Sequence, residues 1–159
     1  MSLVERFEQY ARDFGLTVAD DDWSRVESHF CTDAVREEYA LPLIGIRHEG
    51  VEEIIREWRQ MVENFDNRFD HRIVVPVGRA RATGKRVTLR WIGAYVIDDA
   101  PALLGEGTEI AHYEGDRIKH LETTWTQETI ARNLKWAAEH GPKLPGLLEY
   151  AATLAPKSA

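Results

Sequence analysis

The chain is poor in several things, and each shortage narrows the reading. It has one cysteine, Cys31, in 159 residues, so no intrachain disulfide can form and the usage fits a reducing compartment. Basic residues are outnumbered, 20 Lys and Arg against 27 Asp and Glu, which leaves a formal charge of -7. Nucleic acids and anionic membranes are bound through basic patches that displace counterions, so this balance argues against both partners. No apolar run approaches the length of a membrane span. The opening MSLVERFEQY carries charges where a signal peptide needs an apolar stretch. A Gly-rich phosphate loop, a nucleophile elbow and a Cys/His cluster are also missing, and no cofactor is expected. What is there is 43% hydrophobic with five Trp, enough for a real core. The expectation is a soluble, cytoplasmic, single-domain protein.

Ser2-Leu-Val-Glu5 has the form of a capping box, and Leu3, Phe7, Tyr10, Ala11 and Phe14 then recur at helical spacing. Gly15 can end that helix. Asp20, Asp21 and Asp22 suit the start of a second helix, with Trp23, Val26 and Phe30 on its buried side. Gly50 precedes a third, in which Val51, Ile54, Ile55, Trp58, Met61, Val62 and Phe65 keep a period of 3.6. After Phe69 the character changes. HRIVVPVGRARATG, KRVTLRWIGAYVID, GTEIAHY and RIKHLETTW read as strands, with ATGK and Glu114-Gly-Asp116 as turns. Three helices before a run of antiparallel strands predict an α+β fold, with helices covering one face of a sheet. A further amphipathic helix from about Gln127 buries Ile130, Leu134, Ala137 and Ala138 and stops at Gly141-Pro142. Leu144, Leu147, Leu148 and Leu154 form a second apolar stripe, and the terminal PKSA is expected to be disordered.

Alternation assigns faces. Val87, Leu89, Trp91 and Tyr95 fall on one side of their strand, and Leu121, Thr123 and Trp125 on one side of the last. GTEIAHY is undecided by itself: Glu109, Ala111 and Tyr113 oppose Thr108, Ile110 and His112. HRIVVPVGRARA is undecided as well. In FCTDAVREEYALP, Phe30, Val35 and Leu41 suggest buried packing around Glu37 and Glu38, two carboxylates beside Tyr39.

The order helix, Asp-Trp, helix, FCTDAV, a Gly-led helix and four long strands ending in HYEGDRIKHLETTW resembles the cone-shaped α+β barrel of the nuclear-transport-factor-2-like (NTF2-like) superfamily. It is most similar to the group of SnoaL-like polyketide cyclases and bacterial ketosteroid isomerases. On that resemblance residues 1–126 form the domain and residues 127–159 a helical extension of it. The resemblance implies a cavity for a small, mostly apolar molecule, a homodimer, and isomerase or lyase chemistry. Phe30-Cys-Thr-Asp-Ala34 matches the isomerases' stretch before their general base, which puts Glu38 on the base position. Glu109-Ile-Ala-His-Tyr113 matches the frame of their neutral acid, which puts Glu109 there and turns Glu109, Ala111 and Tyr113 toward the cavity. A carboxylate at an apolar cavity has its charged form penalised, so two unequal sites can hold one ionised base and one neutral donor. The isomerases' tyrosine on the first helix falls on Phe14, with Tyr10 one turn earlier as the substitute. The aspartate that cyclases and epoxide hydrolases carry on the last strand falls on Thr123. Dehydratase-like and dehydrochlorinase-like relatives imply a rival, elimination by His71 with Asp13.

Tyr39, Trp58, Trp91, Tyr95, Tyr113 and Trp125, with Phe14 and Thr123, are the candidates for lining the ligand site. His112, His120 and Glu122 invite a metal, but His120 and Glu122 lie on the outward side with no third ligand at a convincing spacing. A polar outer face is the expectation there. Binding without turnover remains open, since no motif contradicts it.

Overall fold

A computed structural model describes residues 1–40 and 44–154. The capping box closes as its sequence implies, with Glu5 N–H donating to Ser2 Oγ at 3.3 Å and Ser2 N–H to Glu5 Oε2 at 2.6 Å. Helix α1 (Leu3–Asp20) runs through Gly15, because an interior glycine costs only about 1 kcal/mol against alanine. It stops instead at Asp21, which takes a left-handed φ of 59° and donates its N–H to Thr17 O at 2.8 Å. The second helix is shorter than expected: α2 is the single turn Ser24–Glu27. The aspartates before it are engaged locally, Asp21 accepting from Trp23 Nε1 at 2.6 Å and Asp22 from Ser24 Oγ at 2.6 Å. The chain after it is drawn into the sheet, where His29 O accepts from Ile118 N–H at 2.8 Å. Phe30 therefore opens a strand rather than closing a helix.

Strands β1 (Phe30–Ala40) and β2 (Ile44–Glu49) form an antiparallel pair that the sequence reading missed, and α3 (Val51–Asn64) follows after Gly50. A 3-10 turn at Asp66–Arg68 leads to β3 (His71–Thr83), β4 (Arg86–Val96), β5 (Leu103–Glu114) and β6 (Arg117–Trp125). These make one six-stranded sheet in the order β2-β1-β6-β5-β4-β3. All neighbours are antiparallel except β1 and β6, which run parallel. The sheet is curved and does not close. A register shift between Val77 and Arg81, at Gly78 with φ 79°, bends β3.

The helices fill the concave side. Phe7, Tyr10, Trp23, Val26, Phe30, Ile54 and Trp58 pack against Val87, Ala111, Ile118 and Leu121. A second cluster joins Phe69, Ile97 and Leu103 to Trp136, Leu144 and Leu147 of the C-terminal helices, α4 (Gln127–His140) and α5 (Leu147–Leu154). The buried side of α4 carries Ile130 and Trp136. Leu134 and Ala138, expected on it, are exposed, because Trp136 rather than Leu134 reaches the sheet, its Nε1 donating to Pro101 O at 2.6 Å. Leu148 is exposed too. The expectations for Leu41, the Leu154 side chain and the PKSA tail lie outside the described residues. Among the described residues no helix is long and apolar enough to cross a membrane.

Candidate functional site

Register places the site. Glu38 on β1 pairs with Thr123 on β6, Thr123 with Glu109 on β5, and Glu109 with Leu89 on β4. Side chains alternate along strands, so these four form one row across the concave face. The next row toward the narrow end is Arg36, Leu121, Ala111 and Val87, every member buried. The next toward the wide end includes Trp125, Gly107 and Trp91. Gly107 is required there: a Cβ would stand 2.4 Å from the Trp91 ring.

Glu38 is buried at 7% exposure, while Glu37 faces the other side of the sheet. Arg36, two positions earlier on the same side, is buried at 5% and donates from a guanidinium nitrogen to Glu38 Oε2. Trp125 Nε1 donates to Glu38 Oε1 at 2.8 Å. The guanidinium also lies over the Trp58 ring, 5.3 Å from its centroid. Burial of an ion pair is costly unless both ions are held, and here the arginine, the indole and the ring do the holding. Arg36 was not singled out in the sequence; the i, i+2 spacing to Glu38 reveals it once residues 30–40 are known to be a strand.

Glu109 stands beneath α1 and keeps some accessible surface. Tyr10 Oη donates to its Oε1 at 3.4 Å, so Tyr10 and not Phe14 is the tyrosine contact. Burial drives the Glu109 carboxyl up to about 7, and the charge of Glu38 pushes the same way. Arg36 and the tyrosine bond oppose that rise without cancelling it. Burial also pushes the Tyr10 hydroxyl well above its usual range. Tyr113, two rows nearer the narrow end, is buried, and its hydroxyl has no hydrogen-bond partner among the described residues.

The concave face is sealed at one end and open at the other. Val87, Ala111 and Leu121 are fully buried, yet Leu89, Glu109, Trp91 and Trp125 keep accessible surface although they point inward. That gradient leaves the wide end of the face partly open to solvent. Trp91 and Trp125 meet edge to face there, with centroids 5.0 Å apart. Helix α5 approaches the same region: burial and the charges of Glu57 and Glu38 push Tyr150 up to about 12. Two recesses, of about 470 and 280 Å³, lie elsewhere, between α2 and α3 and beside the N-terminus of α1, and neither is lined by Glu38 or Glu109.

Other expectations fare differently. Tyr39 is on the convex face, 37% exposed, because alternation that turns Glu38 in turns Tyr39 out. Trp58 is packed in the core at 3%, and Phe14 meets it edge to face at 5.1 Å. Tyr95 belongs to the second cluster, 4.9 Å from Phe65. Asp13 does not meet His71. Its Oδ2 is 2.7 Å from His29 Nε2, while His71 stands exposed at the start of β3. The elimination pair is not formed, because α1 turns Asp13 toward the end of α2.

No protein-family model matches the sequence, and no curated protein matches it. Solved structures do match in shape. An NTF2-like protein of unknown function from Burkholderia pseudomallei is 15% identical, covering 83% of this chain and 97% of its own, with a TM-score of 0.62. An epoxide hydrolase of the LEH-like type from M. tuberculosis is 14% identical, covering 89% and 96%, with a TM-score of 0.62. A putative polyketide cyclase from Xanthomonas campestris pv. campestris is 15% identical, covering 83% and 99%, with a TM-score of 0.57. The architecture of helices on a curved six-stranded sheet and these likenesses lead to one statement: the chain has the NTF2-like fold.

Proposed function

We propose that the protein is a cofactor-independent enzyme that moves a proton on a small, mostly apolar carbonyl compound held at the wide end of the cone. The observation that carries this reading is the unequal pair of carboxyl groups in one row. Glu38, held by Arg36 and Trp125, acts as the base that removes a proton next to the carbonyl. Glu109, with its carboxyl raised to about 7, supplies a hydrogen bond to the enolate oxygen while it keeps its proton. Tyr10 orients that carboxyl from behind. Trp91, Trp125 and Leu89 offer the apolar wall, and Thr123 a small polar contact between the two acids. The reaction is then isomerisation, the proton returning to a different carbon. Neighbours of this shape include proteins described as cyclases and an epoxide hydrolase, which fits a fold used for small-molecule chemistry.

The test is exchange of carbon-bound protons for deuterium on a panel of cyclic and aryl ketones. Glu38→Gln is expected to lower the exchange rate by about 10²–10⁴-fold, the usual worth of a positioned base. Unchanged exchange in that variant removes the base assignment. Ligand binding with no exchange in the parent protein leaves the non-catalytic reading.

A homodimer is the second part of the proposal. Ile73, Val75, Val77 and Ile92 stand exposed together on the convex side of β3 and β4, an apolar stripe that a second copy would cover. Sedimentation should give twice the chain mass, and Val75→Glu should give the monomer.

A further inference from the structure

The convex face of the sheet carries a polar cluster that the proton-transfer reading does not use. His112 on β5 and His120 on β6 are direct cross-strand partners, and Glu37 on β1 is the partner of Glu122 on β6. Three strands thus bring two imidazoles and two carboxylates to one spot. The rings of His112 and His120 stack, 22° apart in plane with centroids 5.3 Å apart. Glu122 Oε1 stands 2.7 Å from His112 Nε2 and 3.6 Å from His120 Nδ1. One ligand atom from each of His112, His120 and Glu122 falls within 4.8 Å of the others. Ligands bound tetrahedrally at about 2.0–2.1 Å are themselves about 3.3 Å apart, so small side-chain adjustments seat an ion among them.

The environment of His120 points the same way. Its Nε2 is 2.7 Å from Glu37 Oε2, and a carboxylate can only accept, so Nε2 carries the proton. In the neutral ring the lone pair is therefore on Nδ1, the nitrogen turned toward Glu122. Glu37 is in turn fixed by Arg47, whose NH1 donates to its Oε1 at 2.6 Å. A carboxylate behind the far nitrogen of a histidine is the arrangement that orients metal-bound imidazoles and raises their basicity. All four side chains keep partial access to solvent, which leaves an entry path and room for water as a fourth ligand.

We propose that His112, His120 and Glu122 form a site for a borderline divalent transition ion, zinc foremost, with Glu37 positioning His120. Two imidazoles and one carboxylate suit zinc or cobalt and do not suit magnesium or calcium, which take oxygen ligands. The ion replaces the proton that now lies between His112 Nε2 and Glu122, that ring passing to its other tautomer. Its effect is to tie β5 to β6, and through Glu37 to β1. The role is structural and separate from the acids on the concave face.

The test uses the full, untagged chain, first freed of metal and then dialysed with zinc chloride or cobalt chloride. The expected result is one zinc retained per chain, a visible cobalt spectrum of tetrahedral type, and a higher melting temperature with zinc but not with magnesium. His112→Ala and His120→Ala should each abolish equimolar retention. Glu37→Gln should weaken binding by about 10–100-fold, the usual cost of losing such a partner. His140→Ala, at a histidine on α4 outside the cluster, should change nothing. Failure to retain zinc overturns the site, and so does equal retention by the His112→Ala, His120→Ala double variant. If those variants do not fold, imidazole proton resonances of the parent protein decide. Two rings shifting at one equivalent of zinc supports the site, and none shifting overturns it.

Discussion

The two ends of the concave face are built from the same strands and differ in what their side chains meet. At the narrow end Val87, Ala111 and Leu121 are sealed by Phe7, Phe30 and Ile54 of the flanking segments. One and two rows further along, Leu89 and Glu109, then Trp91 and Trp125, are only partly covered. The first end supplies stability, and the second carries the two acids of the proposed site. A carboxyl at the border between them feels both, which is why burial raises Glu109 to about 7. An acid placed one row deeper would be paired or excluded, and one placed one row further out would be hydrated.

Truncating a leucine at each end gives the sharpest contrast. Leu121→Ala, at 0% exposure, should cost roughly 2–5 kcal/mol in urea unfolding, because the cavity left cannot collapse. Leu89→Ala, at a half-buried leucine, should cost less than half as much, and equal costs would deny that the wide end is more open than the narrow one. Glu109→Gln comes next and depends on pH. The folded carboxyl at about 7 lies above its ordinary 4.5, so the parent protein loses stability as pH rises from about 4.5 through about 7. The variant has no such loss. Its advantage should grow across that window to on the order of 3 kcal/mol at most and vanish below it. Thermal unfolding at a series of pH values reads this directly, and a flat difference would sink the burial argument. Deuterium exchange should also fall as pH rises through about 7, as Glu109 gives up the proton it donates. The smallest effect is expected from Trp125→Phe, which keeps the ring against Trp91 and removes only the N–H to Glu38. A bond to a charged group is worth about 1.5–3 kcal/mol, and a half-open site should show the lower figure.

Much of the fold is legible in the sequence. Strands β3 to β6 announce themselves by β-branched and aromatic residues between Gly-containing turns, and their alternation sorts Leu121, Thr123 and Trp125 from His120, Glu122 and Thr124. Strands β1 and β2 do not. FCTDAVREEYA has few β-branched residues and carries an Arg-Glu pair that looks solvated until its partner strand, distant in sequence, is known. The triple aspartate signals a helix start, yet its side chains close a turn instead. For the site, Glu38 and Glu109 came from resemblance, while Arg36 and the partnership of Asp13 with His29 depend on register and helix rotation, which local sequence does not encode. Tyr39 was misplaced for the same reason: adjacent residues on a strand face opposite ways. His112 shows what pairing adds. Its spacing to His120 is uninformative along the chain, and only the hairpin sets them side by side.

The parallel union of β1 with β6 has a kinetic consequence. Nearly the whole chain must be made before Glu38 can lie beside Thr123, and such distant pairings close slowly compared with helices and hairpins. The helices and the β3–β4 hairpin can form early, but the wall that carries both acids is finished last. A nascent chain that lacks β6 has no site, however complete its helices are.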